Sequence, residues 1–137
     1  ILVSPTDTTP VSQQSSLNAE LLFTMINDHR QKLGLIAFQK NDQLCQLAQA
    51  RGPELYEEIF GSKSIHAGFY ARKLPYRIIE NMVHRNSEQI AFNWWLSSSL
   101  HRRAIESNYQ FSCGACWAIL SSGRGCAGSW WTTPIAR

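Results

Sequence analysis

The sequence lacks long apolar runs and carries few charged residues. No apolar run in its 137 residues approaches the roughly 18 residues that a membrane-spanning helix needs. Charged residues make up 17% of the chain and the net charge is +3, whereas nucleic-acid-binding proteins concentrate many cations on one face. We therefore expect no membrane-spanning helix and no nucleic-acid partner. The length suits one domain with its own core.

The N-terminal segment lacks the basic region and apolar core of an intact signal peptide. Residues 1–16, ILVSPTDTTPVSQQSS, are instead rich in Ser, Thr, Pro and Gln. This composition predicts a flexible linker or tether over 1–16, followed by one domain over 17–137. A start within a linker and without Met suggests a mature chain whose leader has been removed. We therefore expect a secreted, cell-surface or periplasmic protein.

Four cysteines allow three complete pairings, and the sequence does not choose among them. Cys113, Cys116 and Cys126 lie in the C-terminal quarter, and Cys45 lies on a predicted helix. The CGAC spacing fits zinc or redox chemistry, but no second ligand pair follows. A redox pair should also open a helix, and this segment reads as a strand. We expect a disulfide near the terminal hairpin, or buried free thiols.

Hydrophobic periodicity predicts an α+β fold. Apolar residues recur at helical spacing over 17–33, with Ser16 as the predicted N-cap and Gly34 as the stop. A second helix begins at Asn41 or Asp42 and is interrupted at Gly52–Pro53, where we expect a kink or a new helix. A strand over 76–84, a helix over 87–98 and two strands within 111–135 follow. The order predicts helices on both faces of one small antiparallel sheet.

The four histidines, His29, His66, His84 and His101, lie in no local zinc signature such as HExxH. On its helix, His29 is expected to be a satisfied structural residue. His84 ends the predicted strand and is expected to be exposed or to support another side chain. The segment NWWLSSSLHRRAI, residues 93–105, reads as helical, and His101 is expected both to cap a helix and to face a cleft.

Four segments in order resemble motifs of the CAP superfamily, which comprises cysteine-rich secretory proteins, antigen 5 and pathogenesis-related 1 proteins. They are MINDHRQKLGLIAFQKNDQLCQLAQAR, HAGF, IENM and WWLSSSLHRRAI. The first resembles the pattern N-x-H-R-x-x-x-G-L followed by D-x-L-x-x-x-A, here Asn27, His29, Arg30, Gly34 and Leu35, then Asp42, Leu44 and Ala48. The resemblance spans about residues 17–133. It implies a three-layer α-β-α sandwich with a small central antiparallel sheet.

The resemblance also implies a cleft with two histidines and two acidic residues. Matched motif by motif, the first histidine is His66, the first acid is Glu80 beside Asn81, and the last histidine is His101. The second acid would follow Trp95 by three residues, where this chain has Ser98. The pattern W-x-x-S-x-x-H-R resembles the bacterial branch of the superfamily. Ile79 replaces a glycine that commonly precedes the Glu-Asn step. Ser98, Asn81 and Trp95 are the predicted remainder of the binding cleft.

Two imidazoles and one carboxylate are a reasonable ligand set for zinc or another divalent metal. His66, Glu80 and His101 are therefore the predicted metal ligands, and without a metal the same trio is the candidate acid–base set of a hydrolase. A third interpretation is a buried hydrogen-bond network in a purely structural interaction module. No activated nucleophile is evident, so binding or structural use is favoured over catalysis.

The predicted cleft is surrounded by cationic and aromatic residues. The cations are Arg72, Lys73, Arg77, Arg85, Arg102 and Arg103, and a basic rim attracts anionic headgroups or cell-wall polymers. In each of the pairs Trp94–Trp95 and Trp130–Trp131, one ring is expected to pack in the core and the other to lie beside the cleft. The expected partners are a lipid, a cell-wall glycan or an extracellular protein or peptide, with peripheral membrane association. The oligomeric state does not follow from the sequence.

Overall fold

The computed structural model describes residues 17–119 and 123–131. For 117–119 and 123–131 it describes the backbone alone. In chain order the elements are α1 (Ala19–Lys32), α2 (Asp42–Ile59), α3 (Ala67–Ala71), β1 (Ile78–Arg85), α4 (Glu88–Ser97), α5 (Ser99–Ile105), β2 (Phe111–Ile119) and β3 (Gly123–Trp131). The α+β class predicted from the sequence is confirmed. The linker predicted over 1–16 lies outside the described residues, and so does the turn between β2 and β3. None of the described helices is long and apolar enough to span a membrane.

Within the described ranges, three strands form an antiparallel sheet in the order β1-β3-β2, so β1 and β2 are the outer strands of this sheet. Side chains alternate along β1 between two sets of helical neighbours, as a strand's period of two requires. Val83 packs in a core cluster with Trp95 of α4 and Ile105 of α5. Met82 packs instead with Leu55 of α2. Helices therefore contact both faces of β1, while the complete three-layer sandwich stays a prediction.

The N-x-H-R residues of α1 are used for packing. Asn27 exchanges hydrogen bonds with the backbone of Phe38, Nδ2 to O at 3.1 Å and N to Oδ1 at 2.7 Å. Arg30 is 2% exposed and donates to the carbonyl oxygens of Ile105 at 2.8 Å and Ser107 at 2.6 Å. Because helix ends leave carbonyls unsatisfied, Arg30 ties α1 to the end of α5. His29, 3.0 Å from Glu106, is the structural histidine that the sequence predicts.

Helix α2 continues through Pro53. It begins at Asp42, one of the two predicted starts, after the N-cap Asn41, whose Oδ1 accepts from two backbone N–H groups. It runs to Ile59 as one helix, so no new helix begins at Pro53, while the predicted kink stays a prediction. Proline costs a helix roughly 3 kcal/mol through a lost hydrogen bond and a clash. On either side of Pro53, however, Arg51, Leu55 and Glu58 are buried. Their packing and ion pairs hold the helix on both sides of Pro53 against the rest of the domain.

Two other helix boundaries also differ from the prediction. Asn18 rather than Ser16 caps α1, with Oδ1 accepting from Leu21 N at 3.1 Å. The segment 93–105 is two helices, because the extended backbone of Ser98 (φ −99°, ψ 120°) ends α4 and precedes α5. His101 is the third residue of α5 and so does not cap a helix. The predicted stop at Gly34 is confirmed, since a φ of 76° there suits glycine.

The three cysteines whose side chains the structure describes are disulfide-bonded. Cys45 of α2 pairs with Cys113 of β2 across a sequence separation of 68 residues, with their Cα atoms 5.0 Å apart. Cys116 is also disulfide-bonded, and the backbone register places it opposite Cys126. The interpretation as free thiols is therefore wrong for Cys45, Cys113 and Cys116, and the predicted disulfide is confirmed. The long-range bond attaches α2 to the sheet.

Candidate functional site: a cleft along strand β1

A cleft of about 550 Å³ lies along strand β1. This volume falls within the roughly 300–1,000 Å³ of small-molecule sites. Seven consecutive residues of β1 line it, together with residues of α2, α4 and α5 and of the segment containing α3. The lining residues are Ile59, Ile65, His66, Tyr70, Ile79, Glu80, Asn81, Met82, Val83, His84, Arg85, Trp94, Leu100, His101 and Arg103. Most of them are apolar or aromatic.

His66 and Glu80 are hydrogen-bonded in the wall of the cleft. His66 Nδ1 lies 2.9 Å from Glu80 Oε1, and the Glu80 side chain is 0% exposed while that of His66 is 20% exposed. His66 has a left-handed backbone with a φ of 67°, which is uncommon for a residue with a side chain. Its backbone N–H and that of Gly68, the latter at 3.1 Å, donate to Glu58. These contacts hold the imidazole against Glu80.

Arg51 of α2 lies at the centre of a buried ion cluster behind His66. Its guanidinium binds both oxygens of Glu80, at 2.8 and 2.9 Å, and both oxygens of Glu58, at 2.5 and 2.6 Å. It also donates to Glu54 at 2.8 Å. Burial by itself lowers the pKa of Arg51, but the carboxylates of Glu58 and Glu80 raise it above its ordinary value. Burial has the largest single effect and raises the pKa of Glu58, but the hydrogen bonds from Arg51, Gly68 and His66 and the charge of Arg51 together lower it by more, so the net shift is downward.

His101 lines the same cleft from the first turn of α5. Its Nδ1 is 2.7 Å from Ser98 Oγ, and its ring centroid is 4.7 Å from that of Trp94. Asn81 Nδ2 donates to the His101 carbonyl oxygen at 2.9 Å and so attaches α5 to β1. Burial lowers the pKa of His101, and the charge of His66 lowers it further. His101 is therefore neutral at pH 7, with no charge of its own to offer a ligand.

The structure brings together most of the site residues that the resemblance implies. His66, Glu80, Asn81 and His101 all line the one cleft. Ser98 does not line it but contacts the ring of His101. The cleft position expected for Trp95 is wrong, because Trp95 is 2% exposed, lies in the core and donates from Nε1 to Met82 O at 3.1 Å.

Trp94 lines the cleft in place of Trp95, so the expected division of this tryptophan pair between core and cleft is confirmed. The Trp130 and Trp131 side chains lie outside the described residues.

The donor set fits a divalent metal poorly. Both oxygens of Glu80 are engaged by Arg51, and a guanidinium competes with a cation for the same lone pairs. In the described part of the chain, no three His, Cys, Asp or Glu side chains form a group arranged to hold a metal ion. Metal ligation by His66, Glu80 and His101 stays a prediction. The observed pairs make Glu80 a positioning residue for His66.

Two of the six cations predicted around the cleft are among its described lining residues. Arg85 and Arg103 line the cleft, and the guanidinium of Arg85 lies 4.8 Å from the Trp94 ring centroid. Arg72 instead pairs with Glu54 at 3.0 Å. Among the lining residues that the structure describes, the acid is Glu80, which is buried and bound to Arg51. The charge that the cleft offers to a ligand is therefore positive.

Sequence reasoning missed Arg51 and Glu58, although a signal for both was present. The buried stripe of α2 recurs at Leu44, Ala48 and Leu55, and Arg51 and Glu58 fall on the same stripe. Charged residues at core positions are rarely buried unless paired. Their periodicity therefore indicated that Arg51 and Glu58 form a buried ion pair. It did not indicate Glu80 of β1, which joins them only in the tertiary structure.

Comparisons with known proteins identify the fold. No family model and no curated protein matches the sequence. Among solved structures, an outer surface protein from Borrelia burgdorferi is similar at a TM-score of 0.67 and 17% identity, over 82% of this chain and 90% of that one. A cysteine-rich secretory protein from Staphylococcus aureus is similar at a TM-score of 0.65 and 18% identity, over 90% of this chain and 40% of that one. The chain therefore has a CAP-like fold, as its motifs predict.

Proposed function

We propose that this chain is an extracytoplasmic binding domain whose cleft along β1 binds a partner with an apolar part and an anionic part. The supporting observation is the exposed apolar rim of the cleft, where Ile65 is 50%, Tyr70 69% and Leu100 70% exposed. Contiguous exposed apolar surface marks interaction sites. Arg85 and Arg103 in the same cleft supply the charge that complements an anion.

The disulfide and the structural neighbours support the proposed location. Disulfides persist in oxidising compartments, and Cys45 is joined to Cys113. One neighbour is an outer surface protein and the other a cysteine-rich secretory protein. We therefore propose that the domain is secreted or lies at the cell surface. A complete three-layer α-β-α arrangement, with helices on both faces of the sheet, belongs to the same proposal.

The hydrolase alternative has less support from the contacts. A general base must reach a substrate proton, and Glu80 is 0% exposed with both oxygens held by Arg51. Ser98 Oγ meets His101 Nδ1, but Ser98 does not line the cleft. The same geometry leaves room for the purely structural module, in which the cleft binds nothing.

The anionic apolar dye anilinonaphthalenesulfonate tests the proposal, because it combines aromatic rings with a sulfonate. We expect saturable binding of one dye per chain. Leu100→Asp, at the rim, is expected to weaken binding about tenfold, since burying a leucine side chain is worth roughly 1.5–3 kcal/mol. Arg103→Glu should weaken dye binding as well, and this weakening should be smaller at high salt because salt screens the charges.

Ile90→Asp is the matched control, because Ile90 is 51% exposed on α4 but does not line the cleft. Its dye affinity should stay within about twofold of wild type, a change of under about 0.5 kcal/mol. Near-ultraviolet circular dichroism checks that each variant is folded. Failure of the wild type to bind dye, or equal affinity in Leu100→Asp and wild type, would reject the proposed function and leave the structural module.

A further inference from the structure

The two cleft histidines each use one ring nitrogen against a neighbouring side chain. His66 Nδ1 lies 2.9 Å from Glu80 Oε1, whose side chain is 0% exposed. His101 Nδ1 lies 2.7 Å from the hydroxyl of Ser98, which is not among the described lining residues. Both Nδ1 atoms therefore face the wall of the cleft. Because both rings line the cleft, each presents to it the side that carries Nε2.

The two rings flank the same part of the cleft. The Glu-Asn step of β1 holds both of them, since Glu80 contacts the ring of His66 and Asn81 Nδ2 donates to the carbonyl of His101 at 2.9 Å. Burial lowers the pKa of His101, and the charge of His66 lowers it further, so the field of one ring reaches the other. One small group of a ligand is therefore within the influence of both imidazoles.

The proton on the ring of His66 is fixed by Glu80. Both oxygens of Glu80 accept hydrogen bonds from Arg51, at 2.8 and 2.9 Å, and an ionised carboxylate only accepts. Nδ1 of His66 therefore donates to Glu80, and in the neutral ring Nε2 carries the lone pair. His66 presents a hydrogen-bond acceptor to the cleft.

His101 has a partner of a different kind. A serine hydroxyl both donates and accepts, whereas the acid that the motif resemblance placed at position 98 would only accept. The distance of 2.7 Å matches a hydrogen bond from an O–H donor, about 2.7–2.8 Å, better than one from an N–H donor, about 2.9–3.0 Å. Ser98 therefore donates to Nδ1, and the proton of the neutral His101 ring lies on Nε2. His101 presents a hydrogen-bond donor to the cleft.

We propose that His66 and His101 bind one hydroxyl group of the ligand, as acceptor and donor, and that Ser98 is the positioning residue for His101. The inference rests on the proposed function and narrows it to an anionic, partly apolar ligand that carries a hydroxyl group. A hydroxyl group donates to one partner while it accepts from another, as this pair requires. A carboxylate has no proton to donate to His66, so the anionic part of the ligand belongs beside Arg85 and Arg103.

Nitrogen-15 NMR of the histidine rings tests the assigned protons without a ligand. In wild type at pH 8 we expect the proton on Nδ1 of His66 and on Nε2 of His101, positions that the nitrogen chemical shifts and their couplings to the ring protons distinguish. His66→Gln and His101→Gln assign the signals. Finding the same tautomer on both rings would overturn the inference.

Naphthalene-2-sulfonate and its hydroxyl derivatives are matched probes, because they share the rings and the anion and differ in one hydroxyl group. By calorimetry, we expect at least one position isomer to bind wild type about tenfold more tightly than the parent, a gain that one or two hydrogen bonds supply. His66→Leu and His101→Leu should each lose this gain, since one of the two hydrogen-bonding nitrogens is removed. An equal gain in either leucine variant would overturn the inference.

Neighbouring serines separate the positioning role from a structural one. Ser98→Ala should reduce the gain from the hydroxyl group to less than about threefold, while Ser98→Thr, which keeps a hydroxyl, should retain it. Ser97→Ala is the matched control, because the exposed Ser97 donates to the carbonyl of Trp94 instead, and it should keep the full gain. A full gain in Ser98→Ala would overturn the role of Ser98.

The outcomes separate this inference from the proposed function. Binding of the dye and of naphthalene-2-sulfonate without any gain from a hydroxyl group would overturn the inference and leave the proposed function intact. Absence of binding by the dye and by every probe would reject both. A gain that depends on both histidines, together with different tautomers on the two rings, would support the inference.

Discussion

Replacement of Arg51 by methionine should strongly destabilise the domain. Methionine keeps much of the volume of the arginine side chain but carries no charge. Glu58 and Glu80, with side chains 1% and 0% exposed, then face each other without a cation. Breaking a buried ion pair by removing one partner costs about 3–5 kcal/mol. Two buried carboxylates lose their partner at once, so we expect a loss near the upper end of that range, against a total of about 5–15 kcal/mol.

Urea unfolding followed by tryptophan fluorescence measures this change, with the m-value checking that unfolding stays two-state. The matched control is Arg72→Met, because Arg72 is 28% exposed and pairs with Glu54, whose side chain is 36% exposed. Exposed pairs of this kind contribute about 0–1 kcal/mol. The triple variant Arg51→Met, Glu58→Gln, Glu80→Gln removes the two uncompensated charges and should regain most of the loss.

The pH dependence provides an independent check on Arg51. In the wild type the pKa of Glu58 is below its ordinary value, so this group contributes stability that is present above its unfolded pKa and is lost as the pH falls through its folded pKa. Without Arg51 the sign reverses, because buried unpaired carboxylates have raised pKa values, and the variant should gain stability as the pH falls. A loss below about 1 kcal/mol in Arg51→Met, or no recovery in the triple variant, would refute the buried cluster as the main support of the site.

Four further predictions concern the disulfide, the histidines and one glycine. Removing the Cys45–Cys113 bond by a double alanine substitution should lower the unfolding free energy by about 4 kcal/mol, because the bond closes a loop of 68 residues. A loss of unfolding free energy below a quarter of this, measured by urea unfolding, would contradict the long-range bond. The pKa of His101 is lowered by burial, so its contribution to stability is present above its unfolded pKa and is lost as the pH falls through the folded value. Thermal melts from pH 7 to pH 5 should therefore fall more steeply for wild type than for His101→Gln, and parallel curves would count against this. Gly68→Ala should destabilise the fold by about 1–3 kcal/mol, because the added Cβ meets the guanidinium of the buried arginine; unchanged melting would mean that the guanidinium moves aside. Zinc ligation is tested by calorimetry, where stoichiometric heat in wild type that is lost in His66→Ala and in His101→Ala would support a site, and no heat in wild type would reject it.

The sequence determined local structure where one signal was strong. Asn41, Ser87 and Gly34 begin or end helices because a side-chain acceptor or a left-handed backbone is needed there. The β-branched and apolar residues of 78–84 formed a strand, and the two C-terminal strands appeared where the sequence predicted them. These properties depend on neighbours within a few residues, so the local sequence is enough to predict them.

The motif resemblance predicted that His66, Glu80 and His101 share a cleft, and the structure brings them together. It did not predict what Glu80 does there. The partner of Glu80 is Arg51, which is 29 residues earlier in the chain and meets it only when α2 packs on β1. A carboxylate that the sequence offered as a metal ligand is thereby bound to a guanidinium.

The sequence by itself determined the main helices and strands and which polar residues belong to one site, because periodicity, capping and motif order are properties of the chain. Tertiary structure decided the continuity of α2 through Pro53 and the assignment of Trp94 to the cleft and Trp95 to the core. Each of these depends on which surfaces meet across long sequence separations. Burial sets the strength of such contacts, and burial exists only after the chain has folded.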